Sequence, residues 1–201
     1  MDLSAVILAG GESRRMGFDK AWLETGGEAL IRRAVRIVRS AGVDEVFVSG
    51  RAGGDYSSLG CPVLFDLEPG LGPLSGIERG LHEARNSLLL VLAVDLPGMR
   101  TEFLERLTGE CDRLTGAVPK LAGRLEPLAA IYPTRCHVIA RGLLASMRRA
   151  VREFAEACLA ERAVRAVTVQ PPERSCFQNW NGPADVRRTV QESWPYPQRV
   201  D

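Results

Sequence analysis

The sequence predicts an α/β domain: a single three-layer unit built on one open, mostly parallel sheet with helices on both faces. Three observations carry this. Short apolar runs alternate with stretches whose apolar residues recur every three or four positions, the pattern of strands feeding helices. The run 87–94 is almost wholly apolar, as a strand covered on both faces of a parallel sheet must be. A chain of 201 residues that is 45% hydrophobic and 25% charged suits one such domain with a full core. Residues 1–192 form that domain, and 193–201, with two prolines and no core pattern, form a C-terminal tail.

Taken in order, residues 5–8 read as a buried strand that stops at Gly10 and Gly11. Leu30, Ala34, Ile37, Val38 and Ala41 then repeat at helical spacing. Arg32, Arg33, Arg36 and Arg39 fill the remainder of that helix and read as a solvated face. Gly42 ends it, and 43–49 and 61–65 read as the second and third strands, the latter ending at Asp66. A second helix opens near Leu74 or Ser75, with Ile77, Leu81 and Ala84 inward. After the strand 87–94, Thr101 is placed to cap a short helix carrying Phe103, Leu104 and Leu107. Residues 117–119 and 128–132 read as later strands. A helical region over 135–161 is broken once around 147–150, a last strand follows at 164–169, and a final helix at 181–190.

Composition excludes several classes. A formal net charge of +1 argues against bulk nucleic-acid binding. No apolar run is long enough for a membrane span, and no secretory pattern opens the chain, so no membrane partner and a cytoplasmic location are expected. Cys61, Cys111, Cys136, Cys158 and Cys176 are scattered without a C-x-x-C pair, which reads as free thiols in a reducing compartment. His82 and His137 lack ligand spacing to any of them, so both read as structural or surface residues.

In a sheet of this kind ligands bind beyond the carboxyl ends of the strands. That rule selects the Gly10–Gly11 loop, Ser49, Asp66 and Asp95. The loop is the sharpest signal: glycines let backbone approach a ligand, and successive N–H groups make an anion-binding concavity. Arg14, Arg15 and Lys20 add positive charge for phosphate oxygens. It is neither a Walker loop nor a dinucleotide fingerprint, since no Gly-Lys-Ser/Thr occurs and Gly10 and Gly11 are adjacent. Asp95 puts one hard oxygen ligand at the tip of an apolar strand, which suits Mg²⁺ carried on substrate phosphates. The Gly70–Gly72–Pro73 turn opens a helix, where an anion or a ribose is favoured.

Together the segments 8–20, Gly72-Pro73-Leu74-Ser75-Gly76-Ile77, Asp95-Leu96-Pro97, Glu126-Pro127-Leu128-Ala129-Ala130-Ile131-Tyr132 and Phe177-Gln178-Asn179-Trp180-Asn181 resemble the molybdenum cofactor guanylyltransferase family. The matches keep the family's order over nearly the whole chain. The resemblance implies a nucleotidyltransferase-like, Rossmann-type fold and transfer of GMP from GTP to molybdenum-bound molybdopterin, with Mg²⁺ as cofactor and pyrophosphate released. It implies backbone contact of Leu8, Ala9, Gly10 and Gly11 with the guanine nucleotide, and phosphate binding by Lys20 and Arg15. It also implies Asp66 at the nucleoside and Asp95 at both nucleotide and metal.

Ser49 stands where the family often has asparagine, and Asn181-Gly182-Pro183 where it has Asn-Thr-Pro. Asn179 and Asn181 are placed toward the second substrate, orienting the pterin-side phosphate or a metal-bound water. Arg124 and Glu126 face the second substrate or solvent. A molybdoenzyme or a GTP-binding helper protein would be the transient protein partner. Two alternatives remain at this point: a cytidylyltransferase of the same fold, whose relatives read Leu-Ala-Ala-Gly, and a non-catalytic nucleotide-binding module.

Overall fold

A computed structural model describes residues 2–10, 20–65 and 71–178. The first strand, β1 (Leu3–Leu8), is buried along its whole length. A 3-10 turn at Lys20–Trp22 leads into a two-stranded hairpin, β2 (Glu24–Thr25) and β3 (Glu28–Ala29). Gly26 and Gly27 turn it with φ of 58° and 80°, the left-handed geometry that such tight hairpins require. Strands of two residues have no periodicity, so nothing in the pattern announces this hairpin.

Then come α1 (Leu30–Ser40), β4 (Glu45–Gly50), β5 (Val63–Phe65), α2 (Pro73–Glu83), β6 (Leu88–Ala93) and α3 (Thr101–Gly109). The remainder is β7 (Gly116–Leu121), β8 (Arg124–Leu125), β9 (Ala129–Pro133), α4 (His137–Ala145), α5 (Val151–Ala160), β10 (Val164–Thr168) and a 3-10 turn at Pro171–Phe177. The interruption between α4 and α5 falls where the sequence breaks the helical pattern. The expected helix at 181–190 and the tail lie outside the described residues.

The main sheet runs β10-β7-β9-β6-β1-β4-β5, with β8 pairing to β7. β1 pairs in parallel with β4 and β6, β4 with β5, and β7 with β10. β9 runs antiparallel to both β6 and β7. The short connection from β7 to β9 explains this, because a parallel return needs a crossover of about a dozen residues or more. The sheet is therefore mixed but mostly parallel.

Alternation along the central strands builds two cores. Ala5 and Ile7 of β1, with Leu88, Leu90 and Leu92 of β6, face α1 and α3. Val6 and Leu8, with Leu89 and Val91, face α2, α4 and α5. The four leucines of β6 are essentially inaccessible, and burying one is worth about 1.5–3 kcal/mol. At the amino edge of the sheet Ser4 Oγ donates to Glu45 Oε2 at 2.5 Å, and Asn86 Nδ2 donates to Ser4 Oγ at 3.1 Å. Glu45 also accepts the backbone N–H of Arg85 at 2.9 Å. Among the described residues no helix is long and apolar enough to cross a membrane.

Candidate active site

Chain direction reverses across the sheet at β1: the path runs from β1 outward to β4 and β5, then returns to β6 on the other side. Such a switch point opens a crevice beyond the carboxyl ends of the two strands. Here that crevice lies between the end of β1 and the end of β6. Ala9 N–H donates to the Ser49 carbonyl at 2.8 Å, and Val94 N–H to the Leu8 carbonyl at 3.2 Å. Leu8, Ala9 and Gly10 thus sit between the ends of β4 and β6. On the far side, Ala93 N–H donates to the Leu128 carbonyl at 2.8 Å, which brings the Glu126–Leu128 segment to the same rim.

Two groups singled out in the sequence meet here. Lys20 Nζ stands 3.5 Å from Asp95 Oδ2, across 75 residues of chain. Their side chains are 17% and 28% exposed, sheltered yet open to a ligand. Lys20 is held there because its neighbour Ala21 is fully buried and the turn is anchored by Leu30 N–H donating to the Leu23 carbonyl at 2.9 Å. A partly exposed pair of this kind is worth about 1 kcal/mol or less. Phosphate oxygens, which carry more charge, can therefore draw the lysine away.

The loop after Asp95 is clamped from two sides. Arg33 of α1 donates from Nε to the Pro97 carbonyl and from Nη2 to the Met99 carbonyl, both at 2.9 Å. Met99 is completely buried. On the other flank, Gly98 is pressed against the backbone of Ser175, and Arg100 Nη2 donates to the Pro172 carbonyl at 2.9 Å. Of the α1 arginines expected to form a solvated face, Arg32, Arg36 and Arg39 are exposed and Arg33 alone is drawn in. Arg36 pairs with both carboxylate oxygens of Glu28 at 3.0 and 2.8 Å, and Arg39 donates to the Gly60 carbonyl at 2.9 Å. Arg32 donates to Ser58 at 3.0 Å and lies over the Trp22 ring. Their guanidiniums tie α1 to neighbouring segments from the exposed side of the helix. Thr101 is also corrected: it makes no cap bond, and its hydroxyl faces the Ile37 carbonyl at 3.5 Å.

Ser49 is buried at the end of β4, under the first turn of α2. A Cβ on Gly76 would collide with Ser49 Oγ and stand 2.8 Å from Leu8 Cδ2, so this glycine lets α2 settle onto the ends of β1 and β4. Gly72, with φ of 75°, sets the turn that admits Pro73 as the first residue of α2. Gly10 differs. A Cβ there would find only ordinary contacts, at 3.6 Å or more, with Gly50 and Arg51. The fold does not need glycine at that position.

Arg124 and Glu126 lie in the β7–β9 connection. Burial pushes the Glu126 carboxyl above its ordinary value of 4.5, against a smaller opposing effect of Arg124. Among the described residues no group of three or more His, Cys, Asp or Glu stands close enough to hold a metal ion. Asp95 offers one hard oxygen at the rim. That fits a magnesium ion arriving with its own phosphates.

Gly11, Arg14, Arg15, Asp66, Gly70, Asn179 and Asn181 lie outside the described residues. Arg33 and Gly98 are the functional candidates that the sequence reading missed. A signal existed for Arg33: it lies three residues after Leu30 and four before Ile37, bordering the apolar stripe. None existed for Gly98, whose neighbour Ser175 is 77 positions away.

Residues 5–167 match the family described as the MobA-like NTP transferase domain. A protein of Opitutus terrae named "Probable molybdenum cofactor guanylyltransferase" is 38% identical over 189 residues, 92% of this chain and 94% of the relative. A protein of the same name in Pelotomaculum thermopropionicum is 40% identical over 136 residues, 68% of this chain and 66% of the relative. Among solved structures, molybdopterin-guanine dinucleotide biosynthesis protein A from Archaeoglobus fulgidus superposes with a TM-score of 0.73 at 23% identity, covering 94% of this chain and 97% of that one. The 2-C-methyl-D-erythritol 4-phosphate cytidylyltransferase of Thermus thermophilus also reaches 0.73, at 20% identity, covering 96% and 99%. At those identities the two structures speak to the fold alone.

Proposed function

We infer the reaction from one premise: this chain belongs to the MobA-like NTP transferase family, and the curated relatives that it matches over most of their length carry the name of molybdenum cofactor guanylyltransferase. It is a nucleotidyltransferase that moves GMP from GTP to molybdopterin and releases pyrophosphate. The observation that carries the reading to atoms is the approach of Lys20 to Asp95 beside Gly10, at the crevice between β1 and β6.

The chemistry needs no protein nucleophile. A terminal phosphate oxygen of molybdopterin attacks the α-phosphorus of GTP, a new P–O bond forms, and the bond to pyrophosphate breaks in line. Catalysis of this kind rests on positioning and on neutralising charge. The backbone of Leu8, Ala9 and Gly10, continued by Gly11, borders the guanine nucleotide. Lys20, with Arg15, neutralises the leaving pyrophosphate once nucleotide phosphates displace Lys20 from Asp95. Asp66 holds the nucleoside, and Ser49 supports the nucleotide from beneath through its carbonyl on Ala9. Asp95 would hold Mg²⁺, which would supply Lewis acidity and help to orient the phosphates when bound. Asn179 and Asn181 orient the molybdopterin phosphate. The protein works on small molecules in the cytoplasm, and a molybdoenzyme or a GTP-binding helper would be its passing partner.

Gly10 favours guanine over cytosine in this reading. Since the fold tolerates a methyl group there, its absence leaves space for the larger base. The test is nucleotide choice: protein, Mg²⁺ and molybdenum-loaded molybdopterin are offered GTP, CTP or ATP, and pyrophosphate release is followed. Release with GTP is expected. Release with CTP alone would keep the mechanism and overturn the base assignment, and silence with all three would overturn the reaction.

A further inference from the structure

We propose that Arg33 is a positioning residue for catalysis: its guanidinium holds the Asp95 loop in register with Lys20, so that the first turn of α1 sets the distance between the two. The inference rests on the assignment of Lys20 and Asp95 above and deepens it.

Two chemically distinct parts of the site hang on the same helical turn. On one side, Leu30 N–H donates to the Leu23 carbonyl at 2.9 Å, and Leu23 N–H donates to the Lys20 carbonyl at 3.1 Å. The backbone from Lys20 to Leu30 is thereby tied to the start of α1. On the other side, Arg33 sends two parallel N–H groups into the carbonyls of Pro97 and Met99, both at 2.9 Å. Those carbonyls belong to the second and fourth residues after Asp95. Bonds from a charged donor are stronger than neutral ones, and the planar fork fixes direction as well as distance. The Met99 N–H meanwhile donates to the Leu96 carbonyl at 3.0 Å, so Leu96 to Met99 is a tight turn gripped as a unit.

The helix itself cannot drift. Leu30, Ile31, Ala34, Ile37 and Val38 are buried against the sheet. Arg33 therefore transmits the position of a packed element to a carboxylate that lies just past the end of β6. A lysine there keeps charge and donors but gathers them on one nitrogen and loses the fork that fixes their spacing. An apolar residue leaves both carbonyls to find water.

The experiment compares wild type, Arg33→Lys and Arg33→Met, all as full-length chain, with three readouts. The first is initial-rate guanylyl transfer at saturating GTP across a magnesium titration, run well below each melting temperature. The second is the KM for GTP. The third is amide hydrogen exchange over 95–100, with β6 as internal reference, which needs no turnover. A displacement near 1 Å at a reacting centre costs on the order of 10²-fold in rate. Arg33→Met is expected to lower kcat by about ten- to a hundredfold and raise the magnesium midpoint several-fold. KM for GTP should move less than about threefold, and exchange over 95–100 should quicken while β6 is unchanged. Arg33→Lys is expected to fall between, and it carries the test if the methionine variant does not fold. Unchanged kcat, magnesium midpoint and loop exchange in either folded variant would overturn the proposal. So would losses that track unfolding, with exchange quickened equally in β6. Absence of transfer in the wild type would refute the assigned reaction instead, and loop exchange would still decide the role of Arg33.

Discussion

Replacing Gly98 by alanine tests how closely the Asp95 loop and the 171–177 turn are fitted. A Cβ at this position would run into the Ser175 carbonyl oxygen and stand 3.0 Å from its carbon and 3.5 Å from Cys176 Cα. Ordinary carbon contacts begin near 3.5 Å, so one backbone or the other must move by about 1 Å. Neither is free to do so. Pro97 and Met99 are gripped by Arg33, Arg100 holds the Pro172 carbonyl, and the Phe177 ring packs edge-on to Phe103 at 5.1 Å. Overpacking of this kind costs about 1–3 kcal/mol. At about 2–4 °C per kcal/mol for a chain of this size, the melting temperature should fall by roughly 2–12 °C. Because Asp95 lies three residues upstream, turnover should fall by on the order of 10²-fold even at temperatures where the variant is folded. Thermal melting and initial-rate pyrophosphate release, read on the same preparation, check both. Gly142→Ala is the companion: that glycine lies exposed within α4 with nothing near its would-be Cβ. It should gain up to about 1 kcal/mol and leave the rate alone. A Gly98→Ala protein within a degree of wild type in melting and within twofold in rate would refute the close fit.

Asp95→Asn should keep the fold and abolish magnesium-dependent transfer, measured as pyrophosphate release; turnover near wild type would remove the carboxylate from the mechanism. Gly10→Ala should melt like wild type and shift nucleotide choice from GTP toward CTP, checked by competing the two in one assay. Glu126→Gln probes a carboxyl whose folded pKa is raised by burial. Its charged form is disfavoured in the fold, so the glutamine variant should be more stable at pH 7, with the advantage fading as pH falls through the raised folded pKa and gone below the ordinary value of 4.5. Melting curves across pH read this directly. Burial pushes the Cys111 thiol up from 9.0 to about 12, so iodoacetamide at pH 8 should leave it unmodified in the native protein and label it in urea, as followed by peptide mass.

Much of this architecture was legible because it follows from periodicity. Strands such as β6, apolar on both faces, and helices such as α1, with a continuous stripe, declare themselves in sequence. The rule that ligands gather at carboxyl strand ends then selects Gly10, Ser49 and Asp95 from the sequence alone. The antiparallel turn of β9 was not legible, since a run such as 128–132 is equally apolar in either direction. Arg33 was hidden for a different reason: an arginine at the border of an apolar stripe looks the same whether it reaches water or two carbonyls. Gly98 depends on a backbone neighbour far away in sequence, and no local pattern encodes that.

The polar chain Asn86–Ser4–Glu45 at the amino edge of the sheet bears on the opposite end of the molecule. It joins the entrances of three adjacent strands, β6, β1 and β4, through one hydroxyl. Sliding β1 by a single residue would exchange its two core faces and also strand that hydroxyl against apolar neighbours. Strands are stiff rods over six residues, so whatever indexes them at one end levels them at the other. A bond network with no part in the chemistry thus works as the gauge that levels Ser49 and Ala93 with Leu8, the height from which Gly10 and Asp95 leave their strands.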